Sequence, residues 1–129
     1  MLVSTCLIFT NLTLQTWHAM EELLITAKVR NIGVSNLSPK QLQDLIARST
    51  TKPYAHQFEF HPYLQQVDWV QWHRDNDISV TAYSPLANLD PIYKPPGKSK
   101  NTPPSLLENE DITRIVKERG CTNAQVALK

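Results

Sequence analysis

From Thr16 onward the apolar positions of this chain switch repeatedly between two periods. Over residues 16–24 they recur at helical spacing, with Trp17, Met20, Leu23 and Leu24 on one face and Thr16 placed to cap the helix. Ile32-Gly33-Val34 is short and apolar, the pattern of a buried strand. Ser38-Pro39 then marks a helix start. The serine oxygen can accept from an early backbone N–H, and proline at the first helical position gives up no bond that the helix needs. Leu42, Leu45 and Ile46 supply the buried stripe of that helix.

The next strand is predicted from near Tyr54 to Phe60 and stops before Pro62, which cannot donate to a ladder. Along it His56, Phe58 and Phe60 face one way, and Gln57, Glu59 and His61 the other. A helix over residues 67–75 is expected to bury Trp69, Val70 and either Trp72 or His73. Ile78 to Tyr83 reads as a strand apolar on both faces, as in a parallel sheet covered by helices. A segment rich in Pro, Lys, Asn and Ser follows Ser84-Pro85 and runs to about Pro104; long loops of this kind are functional or disordered. Asn109 or Glu110 opens a further helix, with Ile112, Ile115 and Val116 on one side and Gly120 just past its end. Thr122 and Gln125 form a capping box for a last helix. At the other end Leu2, Val3, Cys6, Leu7, Ile8 and Phe9 make an apolar run. It has no basic lead-in and no A-x-A site, so a buried strand or a loosely specified tail is expected there rather than a signal peptide.

Strands alternating with helices define an α/β protein with a parallel sheet, and both open doubly wound sheets and closed barrels fit the pattern. Bulk properties narrow the function. The 129 residues fit one domain, and a net charge of +1 gives no electrostatic footprint for nucleic acid or an anionic membrane. No apolar run approaches the length of a membrane span. Cys6 and Cys121 are too few for a disulfide framework or metal cluster and favour a reducing, cytoplasmic setting. The three glycines contain no G-x-G-x-x-G, so a Rossmann fingerprint is absent. Of the four histidines, His18, His56, His61 and His73, the pair on one strand, His56 and His61, lies on opposite faces, so no metal site is expected. Lys94, Lys98 and Lys100 in the long loop read as a solvated charge run.

Three motifs choose between the folds. Val29-Arg30-Asn31-Ile32-Gly33-Val34-Ser35-Asn36, His56-Gln57-Phe58-Glu59-Phe60-His61-Pro62-Tyr63 and Val80-Thr81-Ala82-Tyr83-Ser84-Pro85-Leu86 occur in this order. Together they resemble the aldo-keto reductases, NADPH-using (β/α)8 TIM barrels. Each motif puts polar groups at the carboxyl end of a strand, where βα loops build the active face of such a barrel. The resemblance covers roughly residues 16–129, leaving 1–15 as a segment outside the family region. It implies an incomplete barrel of about three βα units, strands five to seven of the family's eight, in a fold that usually takes ~250 residues.

The same resemblance implies roles. Ser35 and Asn36 would hydrogen-bond the nicotinamide carboxamide, Gln57 would contact it from the next strand, and Tyr83 would stack on the ring. Ser84, Leu86 and the following loop would contact the pyrophosphate of NADP, and a small carbonyl compound would be the substrate. The family's catalytic Tyr, Asp, Lys and His lie on its first four strands. This sequence has no Asp followed by Tyr at the family's spacing of five, so no catalytic residue is assigned. The expectation is therefore a C-terminal-half fragment, inactive alone, with open strand edges that favour self-association. The alternative is a non-catalytic interaction module that pairs through its open barrel edge. The family usually places Gly after its helices where this chain has Ala27 and Asp77, each costing on the order of 1 kcal/mol in a left-handed cap.

Overall fold

Four strands alternate with three α-helices, and two further helices follow, along the described part of the chain, residues 2–5, 11–87 and 105–129 of a computed structural model. In chain order they are β1 (Leu2–Thr5), α1 (Asn11–Ile25), β2 (Ile32–Ser35), α2 (Pro39–Arg48), β3 (Ala55–Glu59), α3 (Val67–Asp75), β4 (Ser79–Tyr83), a 3-10 turn (Leu106–Glu108), α4 (Glu110–Arg119) and α5 (Asn123–Ala127). The sheet order is β1-β2-β3-β4, each strand beside its predecessor in sequence. β1 pairs with β2 in parallel from Leu2↔Ile32 to Thr5↔Ser35, and β2 pairs with β3 in parallel from Gly33↔Ala55 to Ser35↔Gln57. At β4, Ser79 donates to the Tyr54 carbonyl and Phe60 donates to that of Tyr83, at 2.9 and 3.4 Å. Residue numbers rise together along both chains, so this pairing is parallel too. The α/β class and the three strands read from the sequence are present. A fourth, β1, forms within the apolar N-terminal run. Lys94, Lys98 and Lys100 lie outside the described residues.

The chain divides into two compact units, Met1–Phe58 with Gln66–Thr81, and Glu59–Gln65 with Ala82–Lys129. The first has its core in Trp17, Met20, Ile32, Val34, Leu37, Leu42, Leu45 and Ile78, with Trp69 and Trp72 packed against it. α1 presents the predicted stripe but already starts at Asn11, ahead of the predicted Thr16 cap. Thr16 is inside it, and its hydroxyl donates back to the Leu12 carbonyl at 2.8 Å instead of capping. α2 starts as predicted, and the capping box is completed by Gln41. In α3 it is His73 that is fully buried, and Val70 is only half-buried. β4 is half-buried along Val80–Tyr83, less covered than a strand apolar on both faces implied; the preceding Ile78 is buried.

Ala27 and Asp77 both adopt left-handed conformations, with φ of 55° and 53°. At each, two backbone bonds close the preceding helix: Ala27 to Leu24 and Lys28 to Leu23, then Asp77 to Arg74 and Ile78 to His73. These are Schellman closures, whose geometry overrides the Cβ penalty because they satisfy the helix's last carbonyls. Gly33 is required by space. A Cβ there would lie 2.6 Å from the carbonyl oxygen of Ala55, its partner in register on β3.

A buried carboxylate ties α1 to the loop before β3. Glu21 accepts from the Thr51 amide at 2.6 Å and the Thr50 hydroxyl at 3.0 Å, and pairs with His18 at 2.9 Å. Burial pushes its pKa up, but the hydrogen bonds from His18, Thr51 and Thr50 outweigh that and hold it below the ordinary value. Trp17 adds a bond from its indole N–H to the Thr51 carbonyl at 3.2 Å.

The second unit rests on Leu106 and Ile112, both buried. Asn109 caps α4, accepting from Asp111 and Ile112, and Gly120 ends it at φ 64°. Ile112 and Val116 face inward, whereas Ile115, read as part of the same stripe, is 38% exposed. The Asn123 amide joins α5 to this core by donating to the Leu107 carbonyl at 2.6 Å. Thr122 and Gln125 form the expected capping box.

Candidate cofactor site

Within the first unit, three of the residues singled out from the sequence meet where the carboxyl end of β2 lies beside the middle of β3. Ser35 is the last residue of β2 and pairs in register with Gln57 of β3. Ser35 is buried, Gln57 is half-buried and Asn36 is exposed. Asn36 turns the chain out of β2 with φ 56°, a left-handed conformation that Asn tolerates better than most residues. Its backbone N–H donates to the Gln57 carbonyl at 2.9 Å, so the turn is pinned to the adjacent strand. Within the described residues no hydrogen bond takes up the side-chain amide of Asn36 or of Gln57. Two amides that can donate and accept are thus available at one strand end, which suits a carboxamide that does the same.

In the second unit, Tyr83 ends β4, and Ser84 and Leu86 lie on the turn after it, all three half-buried. Ser84 has φ 48°, and its carbonyl accepts from Ala87 at 2.8 Å. A left-handed residue just past a strand end is a device for re-aiming backbone N–H groups.

Sequence reasoning missed the groups that hold the first of these turns. His56 and His73 are both fully buried, and their imidazoles are joined Nδ1 to Nε2 at 2.8 Å. The Leu37 amide, next along from Asn36, donates to His56 Nε2 at 3.1 Å. His73 Nδ1 lies 2.6 Å from the Trp69 carbonyl. The rings of Phe58, Trp69 and Trp72 enclose the pair. Burial, and then the neighbouring His73, push His56 down to about 4; burial lowers His73 as well, opposed by the Trp69 carbonyl. A signal was present in the sequence, since His56 alternates with Phe58 on the strand's buried face and His73 falls four residues after Trp69. What was lacking was any way to know that the strand and the helix bring the two together. Among the described residues no cluster of three or more His, Cys, Asp or Glu side chains could hold a metal ion.

Parallel strands joined through helices, with polar groups at or just past the ends of β2 and β4, are features shared by doubly wound sheets and (β/α) barrels. The chain belongs to the aldo/keto reductase family, whose sequence model matches residues 2–129. It is 41% identical over 116 residues to an uncharacterized oxidoreductase of Schizosaccharomyces pombe, covering 88% of this chain and 34% of that protein. It is 41% identical over 116 residues to the NAD(P)H-dependent D-xylose reductase of Scheffersomyces stipitis, covering 90% of this chain and 36% of that one. Among solved structures, an aldo/keto reductase from Brucella melitensis superimposes with a TM-score of 0.80 at 28% identity, covering 97% of this chain and 43% of its own. The aldose reductase of Schistosoma japonicum gives 0.73 at 29%, covering 89% and 33%. The chain thus spans about a third of the length of the curated relatives it matches. No helix among the described residues is long and apolar enough to cross a membrane.

Proposed function

We propose that this chain carries the nicotinamide-binding side of an aldo/keto reductase site, for NADP, and does not by itself reduce carbonyl compounds. In this reading β2, β3 and β4 correspond to strands five to seven of the family barrel. The observation that carries it is the in-register pairing of Ser35 with Gln57 beside the outward-turned Asn36. Ser35, Asn36 and Gln57 orient the carboxamide of the cofactor, Tyr83 covers its ring, and Ser84 and Leu86 meet its pyrophosphate. When bound, the cofactor supplies the hydride. The chain's own residues set the cofactor's orientation, but none is matched as the proton donor that carbonyl reduction also needs. The substrate class is small aldehydes and ketones, and the relevant compartment the cytoplasm.

NADPH titration followed by fluorescence is the test, with wild type beside an Asn36→Ala, Gln57→Ala double variant. Saturable binding weakened roughly tenfold or more in the double variant is expected, in line with the loss of two polar contacts. Equal affinity in both proteins overturns the placement, and NADPH turnover with simple aldehydes overturns the claim of inactivity. A second reading, a non-catalytic module that pairs through a strand edge, is favoured by the position of β4 at the end of the sheet order among the described residues. Light scattering beside the NADPH titration separates the two: a concentration-dependent dimer that binds no NADPH supports pairing alone, and a strict monomer removes it.

A further inference from the structure

The buried contacts around His56 form a single directed chain of hydrogen bonds. The Leu37 N–H can only donate, so the His56 Nε2 that faces it at 3.1 Å is unprotonated. A neutral His56 then carries its proton on Nδ1 and donates to His73 Nε2 at 2.8 Å. His73 in turn holds its proton on Nδ1 and donates to the Trp69 carbonyl at 2.6 Å. One pair of tautomers satisfies every link, and in it both rings are neutral.

We propose that His56 and His73 are positioning residues: as a neutral imidazole pair they latch the turn Ser35-Asn36-Leu37 to α3 and so set the direction of the Asn36 side chain. The Leu37 amide is the anchor, buried with its residue at 5% exposure. Asn36, one residue before it, is held on the other side by the Gln57 carbonyl. A proton added to His56 puts an N–H on Nε2, facing the Leu37 N–H; one added to His73 puts an N–H against that of His56. Either charge breaks a link, and it does so inside a shell of aromatic rings that cannot solvate it.

Among the described residues the two imidazoles are the only ionisable groups that face each other here. On α3, Asp68, Arg74 and Asp75 are exposed; on α2, Lys40 is exposed, and Asp44 pairs with Arg48 at 3.2 Å. Glu59 of β3 pairs with His61 at 3.1 Å and lies on the opposite face of the strand by parity. β2 carries no ionisable side chain, and neither does Ser79–Thr81 of β4.

The latch concerns the turn itself, while its consequence for nicotinamide binding rests on the proposed function, and the test keeps the two apart. Amide exchange of Leu37, corrected for intrinsic rate, is measured from about pH 7 to about pH 4 in the full chain, beside NADPH titration at each pH. Variants are His56→Gln, whose Oε1 can still accept from Leu37 but does not titrate, and His56→Leu, which cannot accept. Wild-type Leu37 is expected to be protected near neutrality and to lose protection in acid. His56→Gln is expected to keep it throughout, and His56→Leu to lose roughly tenfold or more at every pH. Wild-type protection in His56→Leu overturns the latch. If that variant does not fold, His56→Gln decides, since an acid step as large as the wild type's overturns it equally. Absence of NADPH binding by the wild type overturns the cofactor reading and leaves the latch to the amide result.

Discussion

α2 and α5 open with the same local code and end in different circumstances. In α2 the Ser38 hydroxyl accepts from the Gln41 amide at 3.4 Å, and the Gln41 side chain accepts from the Ser38 amide at 2.8 Å. In α5 the Thr122 hydroxyl and Gln125 do the same at 3.2 and 2.8 Å. Yet α2 runs for 10 residues and buries Leu42 and Leu45 completely, whereas α5 runs for 5 and buries no residue. A capping box satisfies two backbone donors at a helix entrance and contributes nothing along its flank. Flank burial provides most of a helix's stability in a protein, so equal caps leave the two helices unequal.

The largest test of that contrast is core truncation. Leu45→Ala should destabilise by about 2–5 kcal/mol in urea denaturation, while Val126→Ala in half-buried α5 should cost less than ~1 kcal/mol. A comparable loss at Val126 would break the comparison.

Acid should act through the first unit. His56 has a folded pKa of about 4 against an ordinary value of 6.5. Between those values the unfolded chain binds more protons, so stability present above about 6.5 is lost as pH falls toward about 4 and levels off below. A loss on the order of 3 kcal/mol is expected from this group, read from urea midpoints across the range, and His56→Gln should flatten that limb. An unchanged slope in the variant would show that other groups carry the acid response.

Next come the two described glycines, which differ for separate reasons. Gly33→Ala places a carbon against a backbone carbonyl and should cost roughly 1–3 kcal/mol. Gly120 has open space around it but φ 64°, so Gly120→Ala should cost about 1 kcal/mol and Gly120→Asn less. Thermal melts of the three variants distinguish crowding from backbone preference. The smallest effect is expected at the caps. Ser38→Ala and Thr122→Ala should each cost about 1 kcal/mol or less, and by similar amounts, because the interaction lost is local. A much larger loss at Ser38 would mean that its cap also secures the adjacent turn at Leu37.

Much of the element pattern was legible because it depends on neighbours in sequence. The starts of α2 and α5 and the Asn109 and Gly120 ends of α4 follow from short-range backbone chemistry, whereas the left-handed Ala27 and Asp77 were indicated by the family resemblance. Misreadings arose where two signals compete locally. Thr16 offers a capping oxygen, but a hydroxyl inside a helix can donate back to the carbonyl four residues earlier, and here it does. Ile115 fits the apolar stripe of α4 by spacing, although burial on that helix is confined to the line of Ile112 and Val116.

For the candidate site, the resemblance of three motifs to the aldo-keto reductases pointed to Ser35, Asn36, Gln57, Tyr83, Ser84 and Leu86, which lie in strands or on the turns just after them. Periodicity supplied only the strands that carry them, because alternation along a strand decides which residues share a face. Only the tertiary structure decided that Ser35 stands level with Gln57, since register depends on how β2 and β3 slide past each other. It also decided that Gly33 must lack a side chain, and that His56 and His73, 17 residues apart, are hydrogen-bonded to each other. Those outcomes depend on distances between segments remote in sequence, and chain closure and packing set such distances after each segment's local preferences are satisfied.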